Sequence, residues 1–132
     1  GLTPIDAVDV SRAMLDEASK KRIYRNLFVA DITKPIKTSG ELYQGIISSG
    51  TFTHGHVGPG AIGGLLPLAK AGAFFVLAIN KSYWSEKGFA EKFAALSESI
   101  TDPVLRDVDI YGESSKGEHG KDLGIVVIFQ KL

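Results

Sequence analysis

The chain contains no cysteine. Disulfide frameworks, thiolate nucleophiles and cysteine-ligated metals are therefore excluded together. It carries no net charge either, because 15 Lys+Arg balance 15 Asp+Glu. No global field draws nucleic acid or anionic lipid to it. No apolar run approaches the roughly 18 residues of a membrane span, and the first residues lack the basic and apolar regions of a signal peptide. Apolar residues nevertheless make up 44% of the 132 positions. That rules out a disordered chain, which lacks the apolar surface needed to offset chain entropy. A single soluble, cytoplasmic domain is the expectation at this length.

Neither an internal repeat nor a low-complexity stretch breaks the chain. Pro4–Val10 is a short apolar run ending at an acid, and it reads as a strand buried on both faces. Ser11 follows as an N-cap, its hydroxyl placed to accept from an orphan amide. Met14, Leu15 and Ala18 form one face of the helix it opens, with Asp16–Lys20 and Glu17–Lys21 as acid-first pairs on the other. Leu27–Ala30 is a second apolar run, also ending at an acid, Asp31. Thr33–Glu41 reads as loop and Gly45–Ser49 as a third strand. Ala61–Ala71 is helix-like, but Pro67 kinks or restarts it, and Gly72 after Lys70 suits its C-terminus. Ala73–Ile79 is the strongest strand. Ser85 is placed to cap a helix whose Phe89, Phe93 and Leu96 share one face. Asp107–Tyr111 alternates as a half-exposed strand, and Leu123–Phe129 is a further apolar run. The eleven residues Gly112–Asp122 between them are too few for a crossover helix, so these two strands should pair antiparallel. The element order predicts an α/β domain with a mainly parallel sheet and a C-terminal antiparallel hairpin.

Four segments carry a more specific likeness. They are Ile5–Leu15, where a strand-end acid precedes Ser-x-x-Met-Leu; Phe28–Ile32, with Ala30-Asp31; Ile46–His54; and Leu65–Asn80, with its Lys70-x-Gly72 turn. In this order they resemble the second to fifth strands, with their intervening elements, of the class I S-adenosylmethionine-dependent methyltransferases. The likeness spans nearly the whole chain, and Thr53–Val57 is similar to a run in small methyltransferase-like proteins. One part of the family pattern is missing. The family's first strand, mid-sheet between the second and fourth, leads into a glycine-rich loop that wraps the methionine part of the cofactor, and no Asp-x-Gly-x-Gly-x-Gly precedes Ile5. The resemblance thus implies a partial Rossmann-like methyltransferase fold. Residues 1–132 would form a single truncated domain: a gene fragment, a shortened form or a degenerate relative.

Asp9 ends a strand just before a helix N-terminus. There a carboxylate either accepts from two vicinal ribose hydroxyls, as in dinucleotide folds, or serves the helix dipole. The resemblance favours ribose. Asp31 either accepts from an adenine amino group, with the Ile32 amide donating to the ring, or simply forms a turn. Val10 and Met14 read as core, although the resemblance puts Val10 beside the adenine. Ser49, Gly50 and Phe52 fall in the loop where the family's fourth strand meets the cofactor; Gly50 permits close backbone approach and Phe52 would wall the pocket. S-adenosylmethionine is the implied cofactor.

Methyl transfer from a sulfonium gains chiefly from positioning and desolvation, and needs an acid or base only if the acceptor must lose a proton. His54 is the weak candidate for that role, with His56 beside it, and a surface histidine is the competing reading. No metal site is expected, since His-x-His lacks a third ligand and His119 is distant. Gly58–Gly63 satisfies G-x-G-x-x-G, but it does not follow a strand directly and lacks the acid about 20 residues on, which speaks against a nicotinamide enzyme. Lys20, Lys21, Arg22 and Arg25 read as a solvated basic face, with an RNA-binding patch as the alternative. The expectation is a methyltransferase acting on a small-molecule acceptor, with no nucleic acid or membrane partner; the competing expectation is a non-catalytic remnant of the fold. Unpaired parallel edges rich in Ile and Val predict a homodimer.

Overall fold

The computed structural model describes residues 4–36, 40–52, 58–86, 88–108 and 124–132. They fall into two units, Gly1–Glu41 and Leu42–Leu132.

In the first unit, β1 (Asp6–Asp9) runs parallel to β2 (Asn26–Val29), and α1 (Arg12–Ser19) crosses between them. Ser11 caps α1 as anticipated: its backbone is extended and its Oγ accepts from the Met14 amide at 3.2 Å. The apolar face of α1 is narrower than its periodicity suggests. Leu15 is buried and Ala18 half-buried, but Met14 is 59% exposed. The surface ion pairs also differ, joining Arg12 to Asp16 at 3.2 Å and Lys20 to Glu17 at 2.9 Å. Val8 and Val29 are exposed, so these strands are not buried on both faces; within the unit, a single helix serves a two-stranded sheet.

A polar clasp holds the start of this sheet. The Asp6 side chain is only 2% exposed and takes Arg25 Nε and Nη2 at 3.0 and 2.9 Å, together with the amide and Nδ2 of Asn26. Arg25 Nη2 also reaches Glu41 at 2.8 Å. The hydrogen bonds that Arg25 donates to Asp6, then to Glu41, raise its pKa still further above the ordinary value. Arg25 therefore leaves the solvated basic group in which its neighbours Lys20 and Lys21 stay exposed.

The second unit is built on a four-stranded sheet in the order β3 (Tyr43–Phe52), β4 (Ala69–Asn80), β6 (Gly124–Gln130), β5 (Val104–Val108). β3 and β4 are parallel; β6 is antiparallel to both β4 and β5. The antiparallel pairing of the last two strands is thus as the sequence predicts, with β6 inserted between β4 and β5. Between β3 and β4 lie α2 (Ala61–Leu65) and a 3-10 turn, Leu66–Leu68, in which Pro67 stops the α-helix. Lys70–Gly72 does not end a helix. It opens β4, where the register against β3 jumps between Tyr43 and Gly45 and Gly72 takes φ +86°, a bulge conformation suited to glycine.

Ser85 does not cap a helix either, because it lies inside α3 (Lys81–Glu86). The cap of α3 is the buried Asn80, whose Oδ1 accepts from the Tyr83 amide at 3.1 Å. α4 (Phe89–Ala95) starts instead from Gly88 at φ +73°. Phe89 and Phe93 turn inward: Phe89 meets Phe52, Tyr83 and Trp84, and Phe93 meets Phe129, which stacks on Phe75 at 4.8 Å.

The registers sort the sheet into two faces. Phe75, Leu77, Val127 and Phe129 lie on the face that meets α3 and α4 and are buried. Phe74, Val76, Ile128, Ile47 and Val104 share the other. Ile47 is 80% exposed, Phe74 53% and Val104 48%. Parallel strands normally have both faces covered. Here the sequence is apolar on both, yet among the described residues one face stays open.

Candidate functional site

The C-terminal tips of β1 and β2 lie side by side. Asp9 is level with Val29, and its carbonyl accepts from the Ala30 amide at 3.0 Å. One step beyond, Asp9 Oδ1 accepts from the Ser11 amide at 2.8 Å. Asp31 follows the same pattern on the neighbouring strand, its Oδ1 taking both the amide and the hydroxyl of Thr33. These bonds, the hydroxyl's first, hold the Asp31 carboxyl below its ordinary pKa. Both aspartates therefore serve local turns with one oxygen. Among the described residues the second oxygen of each carries no hydrogen bond, which leaves an acceptor at each tip. Val10 beside Asp9 is 70% exposed, and Ile32 beside Asp31 is half-buried.

The remaining candidates belong to the second unit. Ser49, Gly50 and Phe52 are not in a loop; β3 continues through them to Phe52. Their stretch of strand is irregular, with Ser48 opposite Leu77 but Phe52 already opposite Ile79. Irregularities of this kind recur beside functional sites because they re-aim the chain. Phe52 is fully buried and meets Phe89 edge-on at 6.0 Å, so its ring is core and presents no surface to a ligand. Just before the irregularity, the Ser48 hydroxyl is buried without a hydrogen-bond partner among the described residues.

His54 and His56 lie outside the described residues, as does His119. Gly60, in the G-x-G-x-x-G run, precedes the short helix α2 in ordinary helical backbone and offers no side-chain cap. No group of three or more His, Asp or Glu able to hold a metal occurs among the described residues, and none of their helices is long and apolar enough to cross a membrane. Sequence reasoning missed Asp6 and Asn80. The available signal for Asp6 was an acid and an arginine at the starts of two successive strands. For Asn80 it was an Asx residue at the junction of strand and helix.

No family model matches the chain, and no curated protein does. Solved structures do. The N-methyltransferase NodS of Bradyrhizobium japonicum, crystallised with S-adenosylhomocysteine, superposes with TM-score 0.61 at 15% identity, over 96% of this chain and 65% of that one. A TehB-like methyltransferase of Corynebacterium glutamicum gives TM-score 0.63 at 16% identity, over 96% and 67%. An rRNA methylase of Streptococcus thermophilus gives 0.60 at 16%, over 96% and 72%. The fold is that of the class I methyltransferases. The chain spans 65–72% of the length of these methyltransferase structures. The sheet of the second unit is mixed, its last strand β6 antiparallel to both neighbours, as the sequence pattern predicts.

Proposed function

We propose that the chain supplies the adenosine-binding side of an S-adenosylmethionine-dependent methyltransferase that acts on a small-molecule acceptor. The observation that carries this reading is the pair of uncommitted carboxylate oxygens, Asp9 and Asp31, on adjacent strand tips. Their donor set fits the adenosine half of the cofactor. Asp9 would accept from the ribose hydroxyls and Asp31 from the adenine amino group, with the Ile32 amide donating to the ring and Val10 giving apolar contact. When bound, S-adenosylmethionine supplies an electrophilic methyl group. What the chain adds is binding, orientation and exclusion of water. Ser49 and Gly50 remain candidates for the cofactor's path along β3, and His54 for any proton the acceptor must lose.

A small acceptor is preferred over RNA because the net charge is zero and Arg12, Lys20 and Arg25 already face acids. The rRNA methylases among the similar structures make RNA the reading to test against it.

Titration calorimetry with S-adenosylhomocysteine decides the core of the proposal. Micromolar binding that falls at least tenfold in Asp9→Ala supports it; no heat at high protein concentration leaves a fold without cofactor function. We also propose a homodimer, supported by the open apolar face around Ile47 and Phe74 and by the edge positions of β1 and β3. Sedimentation velocity should show a dimer that Phe74→Lys converts to monomer. A monomeric wild-type protein would remove this part.

A further inference from the structure

A cleft lies at the β5 edge of the second unit's sheet, away from β3. α3, α4 and the segment entering β5 line a half-open cleft of about 250 Å³, which includes Trp84, Phe93, Ala94, Thr101, the exposed Asp102 and Leu105. β6 and β4 intervene between β5 and β3. At the usual spacing of neighbouring strands, the two edges are roughly 14 Å apart. Within the second unit the cavity is therefore separate from Ser49 and Gly50 on β3.

Its walls are firmly held. Trp84 stacks on both Phe89 and Phe93, at 5.6 and 5.7 Å between ring centres. The Thr101 amide donates to the Gln130 carbonyl, and the Thr101 hydroxyl accepts from the Gln130 amide, both at 2.9 Å. Ile100 bridges to Lys131 just before them. The side chains facing the space are small where α4 passes, at Ala90 and Ala94, and apolar at Leu105, which is 48% exposed. An exposed leucine beside a half-buried tryptophan is apolar surface that a ligand would cover.

The lining contains one charged residue, Asp102. Among the described residues it has no ion-pair partner, and the nearby Lys131 is committed to the carbonyls of Leu66 and Ala69. Size narrows the ligand further. A cavity of about 150 Å³ holds one benzene ring, whereas drug-sized ligands need about 300 Å³ or more. The space holds one ring and a short chain.

From these features we infer that the cavity is a binding site for a small aromatic amine, its ring against Trp84, Phe93 and Leu105 and its ammonium group on the Asp102 carboxylate. Apolar walls supply affinity, and the single unneutralised acid selects the charge. The inference stands independently of the methyl-transfer reading.

Trp84 is the sole tryptophan of the chain, so its emission reports the site directly. Excited at the red edge of the indole band, the full chain titrated with phenethylamine should show a saturable change. Phenylpropionate, which has the same ring and the opposite charge, should show none. Asp102→Asn should weaken phenethylamine about tenfold, and Ala94→Leu, which fills the space with Asp102 intact, should abolish the response. Circular dichroism confirms that each variant is folded. The inference is overturned if no saturable change occurs, if phenylpropionate binds equally well, or if Asp102→Asn binds like the wild type.

Discussion

The two units keep their strands together by opposite means. Of the apolar residues buried among those described, Leu15 alone belongs to Gly1–Glu41; all the others, from Phe52 to Phe129, belong to Leu42–Leu132. The first unit relies on a polar clasp at Asp6, the cap at Ser11 and the turn at Asp31. The second relies on a continuous aromatic and aliphatic core under α3 and α4. Burial of apolar area is the large favourable term in folding, while hydrogen bonds contribute modestly net of water. A two-stranded ribbon with a single buried leucine is therefore marginal on its own. The comparison teaches that the candidate adenosine ligands Asp9 and Asp31 sit on the less stable unit, where a bound ligand has most to gain by ordering its surroundings.

The largest test of this contrast is Phe89→Ala. Its ring touches Phe52, Tyr83 and Trp84, and its loss should cost about 3–5 kcal/mol, read as a lower urea midpoint for the second unit. If hydrogen exchange in β4 and β6 were unaffected, the core assigned to that unit would be wrong.

Asp6→Asn comes next. Removing the charge that holds Arg25 should cost about 2 kcal/mol and speed exchange at the β1 and β2 amides while β4 and β6 keep their protection. Uniform loss across both sheets would show that the units unfold as one.

The smallest effect is electrostatic. Folding lowers the Asp31 pKa through the Thr33 bonds, so the turn stabilises the fold above the ordinary carboxylate range. That contribution fades as pH falls through the depressed folded-state value. The Thr33 amide proton resonance should titrate below the range of a free aspartate; a midpoint at the ordinary value would show that the turn is not formed.

Several features were legible in the chain itself because their causes are local. Ser11 before an amphipathic stretch is a capping signal, and that cap is present. Pro67 cannot continue a helix, and the helix stops there. The eleven residues Gly112–Asp122 are too few for a crossover helix, and β5 and β6 pair antiparallel. Other readings failed where distant partners outweighed local preference. Ser85 looked like a cap, yet Asn80 at the end of β4 had already started a helix that encloses it. Phe52 looked like a pocket wall, but the Phe89 ring drew it into the core. Arg25 looked like one more solvated cation until Asp6, nineteen residues away, took it.

Periodicity, capping chemistry and chain stiffness thus specified which segments become strands and helices, since each acts within one or two turns of backbone. Which side of the sheet is covered, how the chain divides into units, and which acid meets which base were decided by tertiary structure. Those outcomes depend on surfaces distant in sequence competing for the same apolar area and the same charges, and no window along the chain contains both competitors.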